Sequence, residues 1–243
     1  MQSRLRWFDI AALTLILLLA AGLRLAGVAA NPGWYTDEGT HINIANNLLL
    51  GHIQYFAIKQ STLLFARLPL FEILLAAVFR LFHPGIDTLR VLTGTLGVVS
   101  VGWLYIVMCR LGDRWLALLA ALLLAIYPPA ILYSRFGFSY NLLTPLLLIA
   151  YLGLGQYLDR SAPRLRPLLI ASLAIGLGAI SDLWMLSVIV PVLIVIAVRN
   201  WRHVPLSLAL VVLPFGLYSL ISLLSTPAAF WFDLRFTVLR LGS

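Results

Sequence analysis

Two adjacent carboxylates, Asp37 and Glu38, are the residues of this 243-residue chain best placed for acid–base chemistry. Neighbouring side chains point in different directions, so one carboxylate can take a proton from a substrate while the other orients the substrate or contacts a divalent cation. Thr36, just before them, reads as a helix N-cap, and acids in the first turn of a helix also offset its dipole. Proton transfer and simple helix capping are therefore both open for this pair.

His41 follows Asp37 by one helical turn, which places the two side chains on one helix face. Such a pair could hold a metal ion or relay a proton, although a solvated or capping histidine is the commoner case. We expect the helix to end at Gly51, because glycine readily adopts the left-handed conformation that follows many helices.

Two arginines, Arg67 and Arg135, are candidate phosphate ligands because the planar guanidinium fork matches phosphate oxygens. Arg135 is framed by Tyr133 and Tyr140. Anchoring among lipid headgroups is the alternative for both arginines. Asp182 is an acid at membrane depth, where a carboxylate is costly and usually functional. Arg67 and Arg135 are both candidate partners for it, and the sequence does not distinguish them.

The elements that must position these residues are membrane helices. The chain is 62% hydrophobic and 11% charged, with a mean hydropathy of +0.99, whereas soluble domains are about 45–50% apolar and about 25% charged. This composition excludes a soluble domain, a disordered tail, a coiled coil and a disulfide scaffold. The net charge of +8 comes from arginines scattered between apolar runs, which indicates orientation in a membrane rather than nucleic-acid binding.

Apolar runs predict about seven membrane spans. They cover residues 8–30, 91–108, 115–131, 140–158, 167–182, 183–198 and 204–224. Basic clusters at 110–114, 160–166 and 199–202 then lie on the same side as Arg4 and Arg6, and the positive-inside rule makes that side the cytoplasm.

Residues 68–83 are apolar but short, and they carry Glu72 and Arg80. We expect this segment to lie in the interface or to re-enter, because an even number of crossings must separate two cytoplasmic loops. A crossing is the alternative, and reporter fusions at residues 84–88 would distinguish the two.

Two helix breaks are predicted near the outer face. Residues 167–198 are too long for one span and should form two that meet near Ser181 and Asp182. Pro128 and Pro129 should break or kink the third span.

The sequence thus predicts an all-α polytopic transmembrane helical bundle in the plasma (inner) membrane, with a cytoplasmic N-terminus. Residues 1–243 would form one module. It would comprise a first external loop with interfacial helices (31–90), the remaining spans (91–224) and the start of an external segment (225–243). Long irregular connections are usually functional, so we expect the chemistry on the external face.

These residues, in this order, resemble the GT-C glycosyltransferases. The likeness is to the branch of protein O-mannosyltransferases, aminoarabinose transferases and rhizobial lipopolysaccharide sugar transferases. The motifs that carry it, between about residues 8 and 200, are Asp37-Glu38 with Ala45 and Gly51, Arg67-Leu68-Pro69-Leu70, Arg90-Val91-Leu92, Arg110-Leu111-Gly112-Asp113-Arg114, Ala125-Ile126-Tyr127-Pro128, Tyr133-Ser134-Arg135 and Gly176-Leu177-Gly178. The chain departs from the pattern in two places. Ser139-Tyr140-Asn141 lacks an acid common in the family, and Ser181-Asp182 replaces Thr-Lys.

The resemblance implies a hexosyl- or pentosyltransferase that moves a sugar, with inversion, from a polyprenyl-phosphate carrier to a protein, lipid or cell-envelope glycan. Asp37 would be the general base, and Glu38 would orient the acceptor or a cation. Arg67 and Arg135 would hold the leaving phosphate. Further substrate contacts are expected from His41, Tyr133, Asn141 and Asp182. No cofactor is certain; a divalent cation at Asp37 and Glu38 is the one candidate, and nucleic acid is not an expected partner.

Two other functions stay open at this point. One is a catalytically inactive or truncated membrane scaffold, since full-length members of the family continue beyond a position equivalent to Ser243. The other is a small transporter module, which would need ionisable residues inside the spans. Apart from Arg24 and Asp182, the spans hold almost none.

Overall fold

A computed structural model describes residues 7–52, 68–159 and 165–241, and all regular structure in these ranges is helical. The predicted all-α fold is therefore confirmed. Short 3-10 turns occur at Ser139–Leu142, Leu183–Met185 and Trp201–His203. The α-helices are α1 (Trp7–Leu25), α2 (Thr36–Leu49), α3 (Leu70–Leu81), α4 (Ile86–Leu111), α5 (Arg114–Ile126), α6 (Pro128–Arg135), α7 (Leu143–Leu158), α8 (Leu165–Ala179), α9 (Leu186–Asn200), α10 (Val204–Ser225) and α11 (Pro227–Leu241).

Four segments in the described ranges are long and apolar enough to cross a membrane. They are Trp7–Leu25, Ile86–Leu111, Ser139–Leu158 and Leu183–Ser225. Helices α5 and α6 add a fifth if they count as one broken span. The predicted count of seven is not confirmed, because α8 has only 15 residues and α9 and α10 belong to one 43-residue segment.

The two predicted helix breaks are confirmed. Helix α5 ends at Ile126 and α6 begins at Pro128, with a bend of 56° between them. Helices α8 and α9 are separate, with Ser181 and Asp182 between them. Both breaks have local causes that are visible in the sequence. Proline removes a backbone donor between α5 and α6, and a short polar pair interrupts the apolar run between α8 and α9.

Helices α1, α4 and α5 pack together in the first half of the chain. Gly94 of α4 lies against Arg24 and Leu25, and Gly102 of the same helix lies near Leu17, so α1 and α4 are antiparallel. Small residues at these crossings let the helices approach closely. Asp9 and Arg114, 2.7 Å apart, join the first turns of α1 and α5, which makes those two helices parallel.

Helix α8 packs between α7 and α10 in the second half. Gly153 of α7 lies against Ala171, and Gly176 of α8 lies against the backbone of Val211. The hydroxyls of Ser172 and Ser207 are 2.7 Å apart. These contacts advance together along α8 and α10, so the two helices are parallel.

The helix directions place each connection between helices at one of two ends of the bundle. The basic end carries the turn between α4 and α5 and the turn between α9 and α10, where Arg110, Arg114, Arg199 and Arg202 lie. The loop end gathers residues 26–35, α2, α3, residues 136–142 and residues 180–185. Exposed tryptophans lie at both levels, as in the aromatic belts of membrane proteins, and they are Trp7, Trp115 and Trp201 at the basic end and Trp34 and Trp184 at the loop end.

Helix α3 belongs to the loop end and is not among the candidate spans of the described ranges. Its apolar face packs Phe71, Leu75 and Phe79 against Ala45 of α2 and Leu89 of α4. Its first backbone N–H, at Leu70, donates to the carbonyl of Ile180. This agrees with the expectation that residues 68–83 do not cross, and their position relative to a membrane stays a prediction.

Candidate active site

Glu38 is held by a buried ion pair with Arg90 of α4. Arg90 donates through Nε to Oε1 and through Nη2 to Oε2 of Glu38, both at 2.7 Å. The same carboxylate accepts the backbone N–H groups of Gly137 at 2.9 Å and Tyr35 at 3.2 Å. A bidentate hydrogen-bonded pair between a guanidinium and a carboxylate is strong and has a defined geometry. Each oxygen of Glu38 thus bonds to two N–H groups inside the protein.

Arg90 also fixes the connection between α1 and α2. Its Nη1 donates to the carbonyls of Val28, Ala29 and Pro32, and its Nη2 donates to that of Gly33. Sequence reasoning noted Arg90 only as the start of a span motif and missed it as a site residue. A buried acid requires a cation, but the sequence does not say which of 16 arginines supplies it.

The Glu38 anchor also explains where α2 begins. Helix α2 starts at Thr36, but its N-cap is Tyr35 and not the predicted Thr36. Glu38 is the third helical residue, and its side chain reaches back to the backbone N–H of Tyr35, as in half of a capping box. The predicted end of the helix is confirmed, because Gly51 follows the C-cap with φ of +78°.

Asp37 lies beside this anchor on the first turn of α2. Because Glu38 points into the protein, Asp37 is rotated by about 100° around the helix and is partly exposed. Asp37 and Asp182 both lie within electrostatic reach of the Tyr140 hydroxyl, as do Tyr35 and Tyr133. The structure thus brings predicted site residues from α2, α6 and the turn before α9 around one tyrosine.

Asp182 is held on both sides of its carboxylate. Its Oδ2 accepts the Ser139 hydroxyl at 3.3 Å, and its Oδ1 accepts the backbone N–H of Trp184 at 3.1 Å. The first bond links the turn between α8 and α9 to the 3-10 turn that precedes α7. These described contacts of Asp182 are with a hydroxyl and a backbone amide. They do not include Arg135, and the other suggested partner, Arg67, lies outside the described residues.

An aromatic cluster covers the site beside Asp37, and we define it as Tyr35, Tyr133, Phe136, Phe138 and Tyr140. Phe138 is its centre, with ring centroids 5.1 Å from Tyr35, 5.2 Å from Phe136 and 4.9 Å from Tyr140. Tyr35 and Tyr133 are about half exposed, at 48% and 52%. Rings next to a few polar groups are typical of pockets that bind small organic ligands.

Asn141 and Arg135 hold the loop that carries this cluster. The Asn141 amide donates to the carbonyls of Tyr133, Phe136 and Phe138 at 3.1–3.2 Å. Arg135 donates to the carbonyls of Leu23, Ala26 and Asn31 at 2.7–3.1 Å. In the described ranges no carboxylate forms an ion pair with Arg135, so its charge is not neutralised there. The roles of both residues as substrate ligands stay predictions.

His41 is buried between α2 and α3. Its Nδ1 lies 2.8 Å from Oε1 of Glu72, and its ring meets Phe71 edge-on. The other Glu72 oxygen, Oε2, is buried without a hydrogen-bond partner. Tyr218 of α10 is within electrostatic reach of Glu72 and of Asp233 on α11. The sequence had suggested His41 as a neighbour of Asp37, and it gave no sign of the bond to Glu72.

The profile of the dolichyl-phosphate-mannose-protein mannosyltransferase family matches residues 66–231, which is more than half of the chain. The chain belongs to this family. The resemblance drawn from the sequence is thereby confirmed, and the protein is an integral membrane glycosyltransferase of the GT-C type. No curated protein and no solved structure gave a significant match.

The matched range of this mannosyltransferase-family chain includes Arg90, Arg135 and Asp182 but begins after α2. The acidic pair lies outside the matched range, but Glu38 bonds to two residues within it, Arg90 and Gly137. Arg67, the other predicted phosphate ligand, is within the matched range but outside the described residues.

The predicted divalent cation stays a prediction. The described residues contain no group of three or more His, Cys, Asp and Glu placed to hold a metal ion. A cation shared by Asp37 and Glu38 would have to displace N–H donors that already occupy both oxygens of Glu38.

Proposed function

We propose that this mannosyltransferase-family chain transfers a sugar from a polyprenyl-phosphate carrier to a protein, lipid or cell-envelope glycan, with inversion at the anomeric carbon. The supporting observation is that the two adjacent acids have different surroundings. Glu38 is anchored by Arg90, which leaves Asp37 partly exposed beside the aromatic cluster. A carboxylate near ring surfaces, on a helical turn that the neighbouring ion pair holds, suits a base that acts on a bound hydroxyl.

In the proposed reaction Asp37 takes the proton from the acceptor hydroxyl as its oxygen attacks the anomeric carbon. The new carbon–oxygen bond forms on one face of the sugar while the bond to the carrier phosphate breaks on the other. The phosphate leaves with the bonding electrons, and the proton ends on Asp37. Glu38 and Arg90 contribute by fixing the direction of α2, so that Asp37 meets the acceptor in a productive geometry.

Arg135 supports the departure of the phosphate in this proposal. Its charge is not neutralised by a carboxylate in the described ranges, and its carbonyl bonds hold it at the loop end. A fixed positive charge stabilises negative charge that develops on a leaving group without reorganising. Arg67 would add a second cation, and Asp182 and Tyr133 would contact sugar hydroxyls.

The loop end would face the exterior of the plasma (inner) membrane. The basic end carries the described arginines of the short connections, and such residues stay in the cytoplasm. A lipid-linked donor would reach the aromatic cluster from the same leaflet. The exposed tryptophans Trp34 and Trp184 support a site at membrane-interface depth.

Substitution of the proposed base tests this function. Membranes that contain Asp37→Asn would be incubated with radiolabelled polyprenyl-phosphate mannose, and transfer to endogenous acceptors would be measured. Loss of a general base lowers a rate by about 10²- to 10⁴-fold. Asp87→Asn is the matched control, because Asp87 is an exposed acid at the loop end that pairs with His83 at 3.3 Å.

Three outcomes separate the candidates. Transfer lost in Asp37→Asn and kept in Asp87→Asn supports the assignment. Transfer at the parental rate in Asp37→Asn would remove Asp37 as the base. A parental protein that transfers none of several labelled polyprenyl-phosphate sugars would favour the inactive scaffold.

A further inference from the structure

The junction between α5 and α6 leaves two backbone carbonyls without donors of their own helix. Within a continuous helix, the carbonyls of Leu124 and Ala125 would accept the N–H groups of residues 128 and 129. Both of those residues are proline and have no N–H. Water does not reach backbone groups in the bilayer core, so donors must come from another part of the protein.

Arg24 of α1 supplies both donors. Its Nη2 donates to the Leu124 carbonyl at 2.9 Å, and its Nη1 donates to the Ala125 carbonyl at 2.8 Å. The side chain is 1% exposed. The planar fork of arginine can serve two neighbouring carbonyls at once, which the single ammonium of lysine does less well.

The same contact offsets part of the charge of Arg24, through Nη1 and Nη2, while its Nε is buried without a hydrogen-bond partner. No carboxylate pairs with Arg24 in the described ranges. Its guanidinium instead meets the C-terminal end of α5, where the helix dipole is negative. The position of Arg24 therefore suits a cation and would not suit a neutral donor equally well.

Helix α4 leaves the space that this arrangement needs. A Cβ atom on Gly97 would lie 2.9 Å from Nε of Arg24 and 2.8 Å from Cβ of Ser134 in α6. At the far end of α6, Arg135 donates back to carbonyls at the end of α1, including that of Leu23. Arg24 thus joins α1 to the end of α5, and Arg135 joins the end of α6 back to α1.

We propose that Arg24 is a positioning residue that sets the bend between α5 and α6. Helix α6 carries Tyr133 and leads into the loop that bears Phe136, Phe138 and Tyr140, and two of these rings contact Tyr35 just before α2. Arg24 thereby positions the rings near Asp37. The consequence for catalysis rests on the proposed function, whereas the consequence for the bend does not.

The first test removes the two bonds with Arg24→Met. Nitroxide labels on cysteines placed at Leu15 of α1 and Leu132 of α6, in a Cys109→Ser background, report the distance across the junction. We expect a broader distribution of label distances and a lower thermal midpoint in detergent. A misplacement of about 1 Å can lower a catalytic rate by about 10²-fold, so we expect the transfer rate to fall by roughly ten- to a hundredfold. Arg24→Lys should show smaller changes.

The second test restores the missing donors. In Arg24→Met/Pro128→Ala/Pro129→Ala, the carbonyls of Leu124 and Ala125 regain N–H partners from their own helix. We expect the thermal midpoint to recover and the label distance to become narrow again at a shifted value. Transfer should stay low, because a straightened α6 no longer presents the rings to Asp37. A merely stabilising role for Arg24 predicts that transfer recovers with the midpoint.

Arg80→Met is the matched control, because Arg80 is exposed at the end of α3 and its removal changes the net charge equally. The proposal is overturned if Arg24→Met keeps the parental label distance, or if the triple variant regains the parental transfer rate. If the parental protein transfers no sugar, the proposed function fails, and the label distances alone still decide whether Arg24 sets the bend.

Discussion

At the residue scale, Glu38 and Arg90 depend on each other. Removal of one member of a buried ion pair leaves the other charge buried and unpaired, at a cost of about 3–5 kcal/mol. We expect Glu38→Gln and Arg90→Met each to lower the free energy of unfolding strongly. The double variant should lose clearly less than the sum of the two, and chemical unfolding in detergent measures all three.

The pair of His83 and Asp87 is the control for this cycle. Its members are 69% and 44% exposed and 3.3 Å apart. Exposed pairs contribute about 0–1 kcal/mol, so His83→Gln/Asp87→Asn should unfold almost as the parent does. Additive losses for Glu38 and Arg90 would contradict the coupling.

The ion pair also shows which features the sequence could not predict, namely contacts between residues far apart in the chain. The adjacent acids were visible at once, and their different directions follow from any helix. The identity of the anchored acid depends on Arg90, which is 52 positions away. Arg135 illustrates the same limit, because its bonds to the carbonyls of Leu23 and Asn31 arise only when α6 folds back onto α1.

The bond between His41 and Glu72 predicts a different response. Glu72 Oε2 is buried without a hydrogen-bond partner, so this pair carries polar atoms that the fold does not fully satisfy. We expect Glu72→Leu alone to destabilise the protein by about 1–3 kcal/mol, because His41 loses its buried partner. His41→Leu/Glu72→Leu should recover much of that loss in the same unfolding measurement, and a double variant less stable than both single variants would contradict this reading.

At the element scale, local chemistry predicted the helix breaks better than the helix lengths. Proline at 128 and 129 removes two backbone donors wherever the helix packs, so the break was visible in the sequence. The end of α1 at Leu25 was not, because apolar residues continue to position 30 while the chain turns at Gly27, where φ is +60°. The end of α1 depends on Arg90, which the apolar pattern does not show and whose bonds hold carbonyls within residues 28–33.

The crossing of α8 and α10 gives a prediction at this scale. A Cβ on Gly176 would lie 2.6 Å from the carbonyl oxygen of Val211. Gly176→Ala must therefore push two helix backbones apart, and overpacking of this kind costs about 1–3 kcal/mol. The thermal midpoint in detergent should fall.

Gly155→Ala is the matched control in the neighbouring helix α7. Among the described residues, no atom outside the backbone of its own helix lies within 4 Å of the position that its Cβ would take. Alanine in place of glycine inside a helix contributes about 0.5–1 kcal/mol, so this variant should be slightly more stable than the parent. Equal responses of Gly155→Ala and Gly176→Ala would contradict the close crossing.

At the scale of the whole molecule, the two ends differ in chemistry as well as in shape. The basic end has short turns with Arg110, Arg114, Arg199 and Arg202, while the loop end carries two helices and the candidate site. Contacts within the fold show that α1 and α4 are antiparallel, so α2 and α3 together return to the end from which they start. The return of α2 and α3 to one end follows from the packing of α1 against α4 alone, so it does not depend on how many candidate spans follow α4.

Cysteine accessibility tests the orientation directly. In a Cys109→Ser background, cysteines would replace Leu50 and Phe82 at the loop end and Leu111 at the basic end, which are 72%, 70% and 60% exposed. A membrane-impermeant maleimide applied to intact cells should label the first two positions, and it should label Leu111→Cys only after permeabilisation. Labelling of Leu50→Cys without Phe82→Cys would mean that α3 crosses the membrane. Labelling of Leu111→Cys alone would place the basic end outside, and the candidate site would then face the cytoplasm and require a donor in the inner leaflet.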